Sequence, residues 1–212
     1  MFNAEEFNAH LNEIGQDVLW RRAHACPCVS PHSGHASPAC QHCTGSGRLW
    51  KRPVEARTGV AGGNVHKQWL TTGLAAAGDV IVSVPSDSPL YKVGPYDRVL
   101  FLNRTEPFSQ NIVKGVNEQI SFAVVELESV LYLQDGELVD AELPMVLPDG
   151  SINWSGVELP DGVTFSLAGR RRAEYYCFPE SPFDRPHNVG AALPRRVVLR
   201  RFDLYANQYA NV

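Results

Sequence analysis

The sequence lacks the long apolar runs and low-complexity tracts that are typical of membrane or disordered chains. Its 212 residues contain no run of 18 apolar residues, so we expect no transmembrane helix. The N-terminal stretch MFNAEEFNAHLNEIG is polar and acidic, whereas a signal peptide has basic residues followed by an apolar stretch. The composition therefore predicts a folded, soluble, intracellular protein without a membrane partner.

Motifs of several large enzyme classes are also missing. The chain has no G-x-S-x-G, no H-E-x-x-H, no phosphate-binding G-x-x-x-x-G-K-[ST] and no dinucleotide-binding G-x-G-x-x-G. The H-x-E and P-C-x-x-C elements of a zinc deaminase do not occur together either. His66, and His187 near Asp184, are isolated general-base candidates, but surface or structural histidines are more common than catalytic ones. We therefore expect a protein that is not an enzyme.

Charge is distributed unevenly along the chain. The formal net charge is −4, yet residues 73–169 contain 14 acidic and 4 basic residues, and residues 170–212 contain 4 acidic and 8 basic residues. Nucleic-acid-binding surfaces neutralise phosphates, so the acidic segment disfavours such a surface there. This segment is either a solvated acidic face or a surface complementary to the basic end of another copy of the chain.

The N-terminal segment, residues 1–23, has the pattern of an amphipathic helix. Asn3 followed by Glu6 is a capping pair at its start. Apolar residues then recur at spacings of 4, 3 and 4: Phe7, Leu11, Ile14 and Val18. The pattern predicts a helix over residues 4–22.

Residues 24–50 are rich in cysteine and histidine and almost free of aliphatic residues, so hydrophobic burial alone cannot hold them. Four cysteines form the pattern C-x-C-x11-C-x2-C: Cys26, Cys28, Cys40 and Cys43. Two close pairs separated by a loop suit a tetrahedral ion, and four thiolates favour a structural Zn²⁺. The motif therefore predicts a zinc knuckle over residues 24–50.

Other interpretations of the cysteines remain open. The thiols could be unliganded or form disulfides, although an intracellular setting and a strained C-x-C ring disfavour the latter. One of four nearby histidines could replace a thiol as ligand: His24, His32, His35 or His42. Cys177 stands alone in EYYCFPE and is interpreted as a buried structural thiol.

The remainder of the chain predicts a linker and a β domain. Residues 51–72, with the step Gly62-Gly63, predict an extended connection. Residues 73–212 contain short stretches rich in β-branched and aromatic residues, at 79–85, 96–102, 119–127, 163–169 and 195–205. Turn pairs separate some of them: Asp135-Gly136, Asp149-Gly150 and Asp161-Gly162. The fold class is therefore mainly β, an antiparallel small barrel or sandwich with an N-terminal amphipathic helix and a zinc-knuckle insertion.

Two parts of the chain resemble known families. The eight residues Cys40–Gly47, CQHCTGSG, resemble one knuckle of the cysteine-rich region of DnaJ-type chaperones, although a single knuckle does not make the chain a chaperone. Residues 75–206 resemble neck proteins of tailed bacteriophages. Four runs carry this resemblance: Asp149–Trp154 (DGSINW), Leu159–Leu167 (LPDGVTFSL), Arg172–Tyr176 (RAEYY) and Leu193–Leu204 (LPRRVVLRRFDL).

The neck resemblance implies a structural virion protein of the head-closure or stopper type. Such a protein would form a homo-oligomeric ring in the neck, assembled in the host cytoplasm, that joins the DNA-filled head to the tail. Its partners would be a portal or adaptor ring on the head side and a tail terminator or tail tube on the other. Double-stranded DNA would pass through the lumen without specific binding, past an acidic lining, while C-terminal arginines contact neighbouring subunits.

Other functions remain as alternatives. The first is a zinc-ribbon-like nucleic-acid-binding protein, supported by the basic residues Arg48, Lys51, Arg52 and Arg57 near the cysteine motif. The second is another tail component, such as a terminator, tail-tube or baseplate protein. Steep salt-dependent DNA binding would favour the first alternative, and ring formation without DNA affinity would favour the neck protein.

Overall fold

The protein is mainly β, as the sequence predicts. The structure is a computed structural model that describes residues 4–73, 75–116, 120, 122–157, 159–179, 187–188 and 191–203. Two α-helices lie within these residues: α1 (Ala4–Ile14) and α2 (Gly63–Thr71). The strands are β1 (Gln16–Arg21), β2 (Ala23–Ala25), β3 (Arg48–Trp50), β4 (Val54–Val60), β5 (Val80–Val84), β6 (Arg98–Val113), β7 (Val124–Gln134), β8 (Glu137–Asp140), β9 (Met145–Val146), β10 (Ile152–Asn153), β11 (Thr164–Cys177), β12 (His187–Asn188), β13 (Ala191–Ala192) and β14 (Arg195–Arg201).

The N-terminal helix is shorter than its apolar spacing predicts. Helix α1 ends at Ile14, and the chain continues as strand β1, so the prediction of helix over residues 16–21 is wrong. A Cβ at Gly15 would collide with the carbonyl oxygen of Leu11 and lie 3.1 Å from that of Thr58, so glycine allows a tight change of direction. Val18 is then buried as a strand residue, whereas Ile14 is 61% exposed. Pairing of β1 with strands on both sides overrides the local helical spacing.

The segment predicted as a linker, residues 51–72, contains strand β4 and helix α2. β4 pairs antiparallel with both β1 and β5, which makes it an internal strand. Its buried positions include Ala56 and Thr58, which are small or polar, so the stretch shows little hydrophobic periodicity. The buried Thr58 hydroxyl donates a hydrogen bond to the carbonyl oxygen of Ser83, 3.0 Å away. The prediction of an extended connection failed because tertiary pairing, rather than apolar content, forms this strand.

The chain divides into two compact units, where the sequence predicts one β domain over residues 73–212. Unit 1 comprises residues 1–103 and 174–212, and unit 2 comprises residues 104–173. The long strands β6 and β11 each contribute residues to both units. No helix within the described residues has the length and apolarity needed to cross a membrane.

Strand pairing in unit 1 closes on itself. The order β14-β5-β4-β1-β6-β11 is completed by a further pairing of β14 with β11, in which Tyr176 lies opposite Arg200. A closed circuit of strands leaves no free edge, as in a small barrel. Its fully buried side chains are mostly β-branched or aromatic, and they include Val18, Val82, Val84, Val99, Phe101, Tyr175 and Leu199. The rings of Phe101 and Tyr175 meet edge to face at 5.5 Å.

A buried carboxylate joins several elements of unit 1. Asp97, only 2% exposed, precedes β6. Its side chain accepts hydrogen bonds from the indole Nε1 of Trp20 at 2.8 Å, the backbone N–H of Ala23 at 2.7 Å and that of Gly94 at 2.9 Å. Its backbone carbonyl accepts the N–H of Cys177 at 2.8 Å. Asp97 therefore links the end of β1, the start of β2 and the end of β11.

Unit 2 is built on β7, which pairs antiparallel with β11 and with β8. Its buried core consists of apolar side chains: Ile112, Val124, Leu127, Val130, Leu159, Phe165 and Leu167. The predicted turn Asp135-Gly136 connects β7 to β8, and both residues have positive φ (53° and 87°), as a two-residue hairpin requires. The turn Asp149-Gly150 lies between β9 and β10, which pair with each other.

We expect Asp97→Ala to lower the free energy of unfolding by about 3 kcal/mol or more, because three donors lose their acceptor and a buried unsatisfied donor costs about 1–3 kcal/mol. Chemical denaturation followed by tryptophan fluorescence measures the change. Glu13→Ala removes an exposed carboxylate of helix α1 and serves as control, with an expected change below about 0.5 kcal/mol. Equal unfolding midpoints for the two variants would contradict this role of Asp97.

Gly169 provides a separate test of unit 2, since it lies at a register shift between β11 and β7. A Cβ there would collide with the carbonyl oxygen of Glu126 and lie 3.0 Å from Cα of Leu127. We expect Gly169→Ala to destabilise unit 2 by about 1–3 kcal/mol, the usual cost of overpacking, and to raise amide hydrogen exchange along β7. Gly94→Ala is the matched control, because its Cβ would meet no neighbour closer than 4.0 Å. Unchanged exchange along β7 in the first variant would refute the prediction.

Candidate metal centre

The four cysteines of the predicted knuckle lie together between strands β2 and β3. These strands pair antiparallel, with His24 opposite Leu49, and close the base of a loop that runs through residues 26–47. Within residues 24–50, all of which the structure describes, the buried positions are Cys26, Cys43 and Gly47. Cysteine sulfurs therefore occupy the interior of a segment that has no aliphatic core.

The sulfur atoms form a compact group. All four Sγ atoms lie within 4.8 Å of one another. The Sγ atoms of Cys26 and Cys40 are 3.8 Å apart, and those of Cys28 and Cys43 are 3.4 Å apart. All five cysteines of the chain are free thiols, so the disulfide interpretation does not describe this arrangement. The group can hold a metal ion.

The neighbouring histidines do not join the sulfur group. His24, His32, His35 and His42 are all exposed, and within the described residues the group of possible ligand atoms consists of the four cysteines alone. The alternative in which a histidine replaces one thiol therefore has no support from this geometry. The structure brings together the four residues predicted from the motif, and no other described residue joins them: Cys26, Cys28, Cys40 and Cys43.

Short backbone turns present the two pairs of cysteines. The N–H of Val29 donates to the carbonyl of Cys26 at 3.0 Å, and the N–H of Thr44 donates to that of Cys40 at 2.8 Å. Gly45 and Gly47 have φ values of 83° and 70°, in the left-handed region that favours glycine. The N–H of Cys26 donates to the carbonyl of Gly47 at 2.9 Å, which ties the first pair to the chain after the second pair. The glycines of the knuckle thus let the backbone fold around the sulfurs.

The four thiols do not have equal electrostatic environments. Backbone N–H groups of Cys43 and His42 donate to the Cys40 sulfur and lower its pKa to about 6. A backbone hydrogen bond from Ser37 lowers the pKa of Cys28, but burial and the three neighbouring thiols outweigh it and raise this pKa to about 12. The backbone therefore stabilises the thiolate form of Cys40, which is the form that binds a metal cation.

Aromatic and cationic side chains anchor the knuckle to the strands of unit 1. The indole Nε1 of Trp50 donates to the carbonyl of Tyr96 at 3.0 Å, and the Arg48 guanidinium lies 4.2 Å from the centre of the Tyr96 ring. The Arg98 guanidinium lies over the rings of Trp50 and Phe202, at 4.9 and 3.9 Å. Sequence reasoning missed this anchor, although an aromatic residue next to a cysteine-rich loop was a usable signal.

Three further predictions concern Cys177, the general-base candidates and the C-terminal arginines. Cys177 is a buried thiol, as predicted, and burial raises its pKa to about 12, so it is protonated at neutral pH and a poor nucleophile. Asp184 and the side chains of His66 and His187 lie outside the residues that the structure describes, so the general-base hypothesis stays a prediction. The arginines expected at subunit contacts are those at 170–172, 195–196 and 200–201. Several of them make contacts within the chain, among them Arg170, Arg171, Arg195, Arg200 and Arg201.

We expect the double substitution Cys40→Ser, Cys43→Ser to abolish metal binding and to unfold residues 24–50 locally, because this segment has no other interior. Elemental analysis of the purified variant measures the metal, and hydrogen exchange measures the protection of residues 24–50 and of β5 and β14. The strands are expected to keep their protection.

Two further substitutions control for nonspecific effects. Cys177→Ala removes the thiol outside the group and is expected to leave the metal content unchanged, as is the exposed pair His32→Ala, His35→Ala. If the double-serine variant still carries one metal ion per chain, the assignment of these ligands is wrong.

The chain was also compared with models of protein families and with curated protein sequences, and neither comparison finds a match. The functional conclusion therefore depends on the residues and on the geometry of the two units.

Proposed function

We propose that the chain is a structural neck protein of a tailed bacteriophage, of the head-closure or stopper type. In this proposal it forms a homo-oligomeric ring that joins the DNA-filled head to the tail and has no enzymatic activity. Its partners are a portal or adaptor ring on one side and a tail terminator or tail tube on the other. It is assembled in the host cytoplasm and resides in the neck of the virion.

One contact carries this proposal. The resemblance to neck proteins depends on two neighbouring runs, DGSINW and LPDGVTFSL, whose joint pattern is DG-x-I-x-W followed by P-x-G-x-x-F-S. In unit 2 the aromatic residues of the two runs pack against each other: the rings of Trp154 and Phe165 meet at 5.1 Å with an interplanar angle of 67°. Phe165 is fully buried in the unit 2 core. The two runs are thus parts of one packed motif, which is stronger support than two separate sequence similarities.

The surface charge of unit 2 fits a ring through which DNA moves. Residues 115–169 contain ten Asp or Glu residues and no Lys or Arg. The acidic side chains of β7 and of the segment after β8 are exposed: Glu126, Glu128 and Glu142. A lumen lined by such residues repels phosphates and does not retard DNA during ejection.

We also propose that the metal is a structural Zn²⁺ held by Cys26, Cys28, Cys40 and Cys43. With Zn–S bonds of about 2.3 Å, sulfurs at the corners of a tetrahedron lie about 3.8 Å apart. Two of the sulfur separations are 3.8 and 3.4 Å, close to this value, and all of them are within 4.8 Å. Four thiolate ligands leave no open position for a catalytic water, so the ion would stabilise the knuckle and take no part in a reaction.

A zinc-dependent nucleic-acid-binding protein is the second candidate function. It is favoured by the exposed basic residues Arg22, Lys51 and Arg52 at the base of the knuckle. Such a protein would bind duplex DNA with an affinity that falls steeply as salt rises.

The neck function is tested in the phage that encodes this chain. A nonsense mutation in its gene is expected to yield DNA-filled heads and finished tails that remain separate, and purified protein added to the lysate is expected to join them. Electron microscopy of the lysate measures the fraction of joined particles. Wild-type virions should contain the chain in several copies, located between head and tail by antibody labelling.

The same preparation separates the alternatives. Zinc analysis is expected to find one ion per chain, and anisotropy titrations with duplex DNA are expected to show no binding at physiological salt. Normal virions from the nonsense mutant, or virions without the chain, would overturn the neck function. Tight, salt-sensitive DNA binding by a monomer would establish the second candidate instead.

A further inference from the structure

The end of the β7–β8 hairpin carries apolar side chains that contribute little to the core of unit 2. Leu133 of β7 lies opposite Leu138 of β8, and the two side chains are 64% and 68% exposed. Residues opposite each other in an antiparallel pair share one face of the sheet, so the two leucines form one apolar patch. Among the strands that the structure describes, β8 is the last in the order of the main sheet, and no strand pairs with its outer edge. We call residues 131–140 the tip.

The tip is also acidic. Asp135, Glu137 and Asp140 are exposed, and none of them makes an ion pair within the described residues. No Lys or Arg lies between residues 115 and 169, so no nearby residue in sequence can neutralise these charges. An apolar pair bordered by uncompensated carboxylates is suited to a partner with exposed cations around an apolar contact.

Unit 1 presents a surface of that chemistry at the base of the knuckle. The N–H of Lys51 donates to the carbonyl of Arg22 at 3.0 Å, which places these residues side by side, and Arg52 follows directly. All three side chains are exposed and make no ion pair within the part of the chain that the structure describes. Val54, 44% exposed, adds an apolar side chain at the start of β4. We call Arg22, Lys51, Arg52 and Val54 the basic patch.

The C-terminal arginines are weaker candidates for the same role. Arg171 forms a 2.8 Å ion pair with Glu106, and Arg200 forms a 3.2 Å ion pair with the buried Asp79. Breaking such partly buried pairs to bind another molecule would leave a carboxylate without its partner. The cations of the basic patch can bind an incoming acidic surface without that loss.

We propose that the tip of one copy of the chain docks on the basic patch of a second copy. Leu133 and Leu138 would contact Val54 and the aliphatic stems of the cations. Asp140, which shares the face of Leu138, would pair with Arg52, and Glu137, which follows the turn at the end of the hairpin, would pair with Lys51. The two surfaces differ, so the contact is head-to-tail, and such contacts generate rings when the rotation closes. This inference depends on the ring-forming function proposed above and names the surfaces by which the copies meet.

The test exchanges the charges of the two surfaces. One variant carries Lys51→Glu and Arg52→Glu, and the other carries Glu137→Lys and Asp140→Lys. Asp135 is left unchanged, because its φ of 53° is poorly tolerated by most side chains. Sedimentation velocity at low salt is expected to show self-association of the wild type and at least about tenfold weaker association of each variant, as like charges then meet across the contact. An equimolar mixture of the two variants is expected to recover the wild-type assembly.

Further variants and conditions complete the experiment. The control Lys67→Glu, Lys92→Glu changes two lysines elsewhere in unit 1 and is expected to associate like the wild type. Leu133→Ser with Leu138→Ser tests the apolar contact and is expected to weaken association. Higher salt should weaken the wild-type assembly through screening. Circular dichroism checks that each variant is folded.

Several results would overturn the docking proposal: a monomeric wild type at low salt, reversed variants that associate normally, or a mixture that does not recover. Loss of duplex-DNA binding in the patch variant with unchanged self-association would assign the basic patch to nucleic acid and also overturn it. These outcomes are separate from the neck function. If the chain is located in the virion neck but its self-association is unchanged by both charge-reversal variants, the neck function stands and the proposed contact is wrong.

Discussion

The buried carboxylate of Asp97 is the interaction on which unit 1 depends. A carboxylate removed from water must be matched by donors, and here the indole of Trp20 and two backbone N–H groups provide them. The next residue towards the N-terminus, Tyr96, holds the side chains of Arg48 and Trp50. Residues 96 and 97 thereby join the closed circuit of strands in unit 1 to the base of the cysteine-rich loop. The loop itself needs no apolar core, because the cysteine side chains fill its interior and Tyr96 holds its base in place.

The two units differ in how they achieve stability and in what they present to solvent. Unit 1 closes its strands into a circuit and pairs the buried Asp79 with Arg200. Unit 2 has an apolar core and a hairpin with exposed carboxylates and exposed leucines. Their exposed charges are of opposite sign at the tip and the basic patch. These two surfaces are the ones that the proposed contact between copies brings together.

Much of the site was predictable from the sequence, and less of the fold. Thiols at C-x-C and C-x-x-C spacing next to glycines can converge through local turns alone, so all four cysteines were identified without knowledge of the rest of the chain. The Asp135-Gly136 hairpin is equally local, since the turn needs two residues with positive φ. The end of α1 at Ile14 and the strand β4 were not predictable in this way. Both depend on pairing with strands that are distant in sequence.

The sequence by itself determined the mainly β class, the group of four cysteines that can hold a metal ion and the uneven distribution of charge, because each follows from residue types and short spacings. Only the tertiary structure decided which cations are available at the surface. The arginines of the C-terminal segment include side chains such as Arg171 that fold back onto carboxylates of their own unit, whereas Lys51 and Arg52 remain exposed. Charge counts along a chain cannot separate these cases, since an ion pair forms between residues that the fold brings together from distant positions.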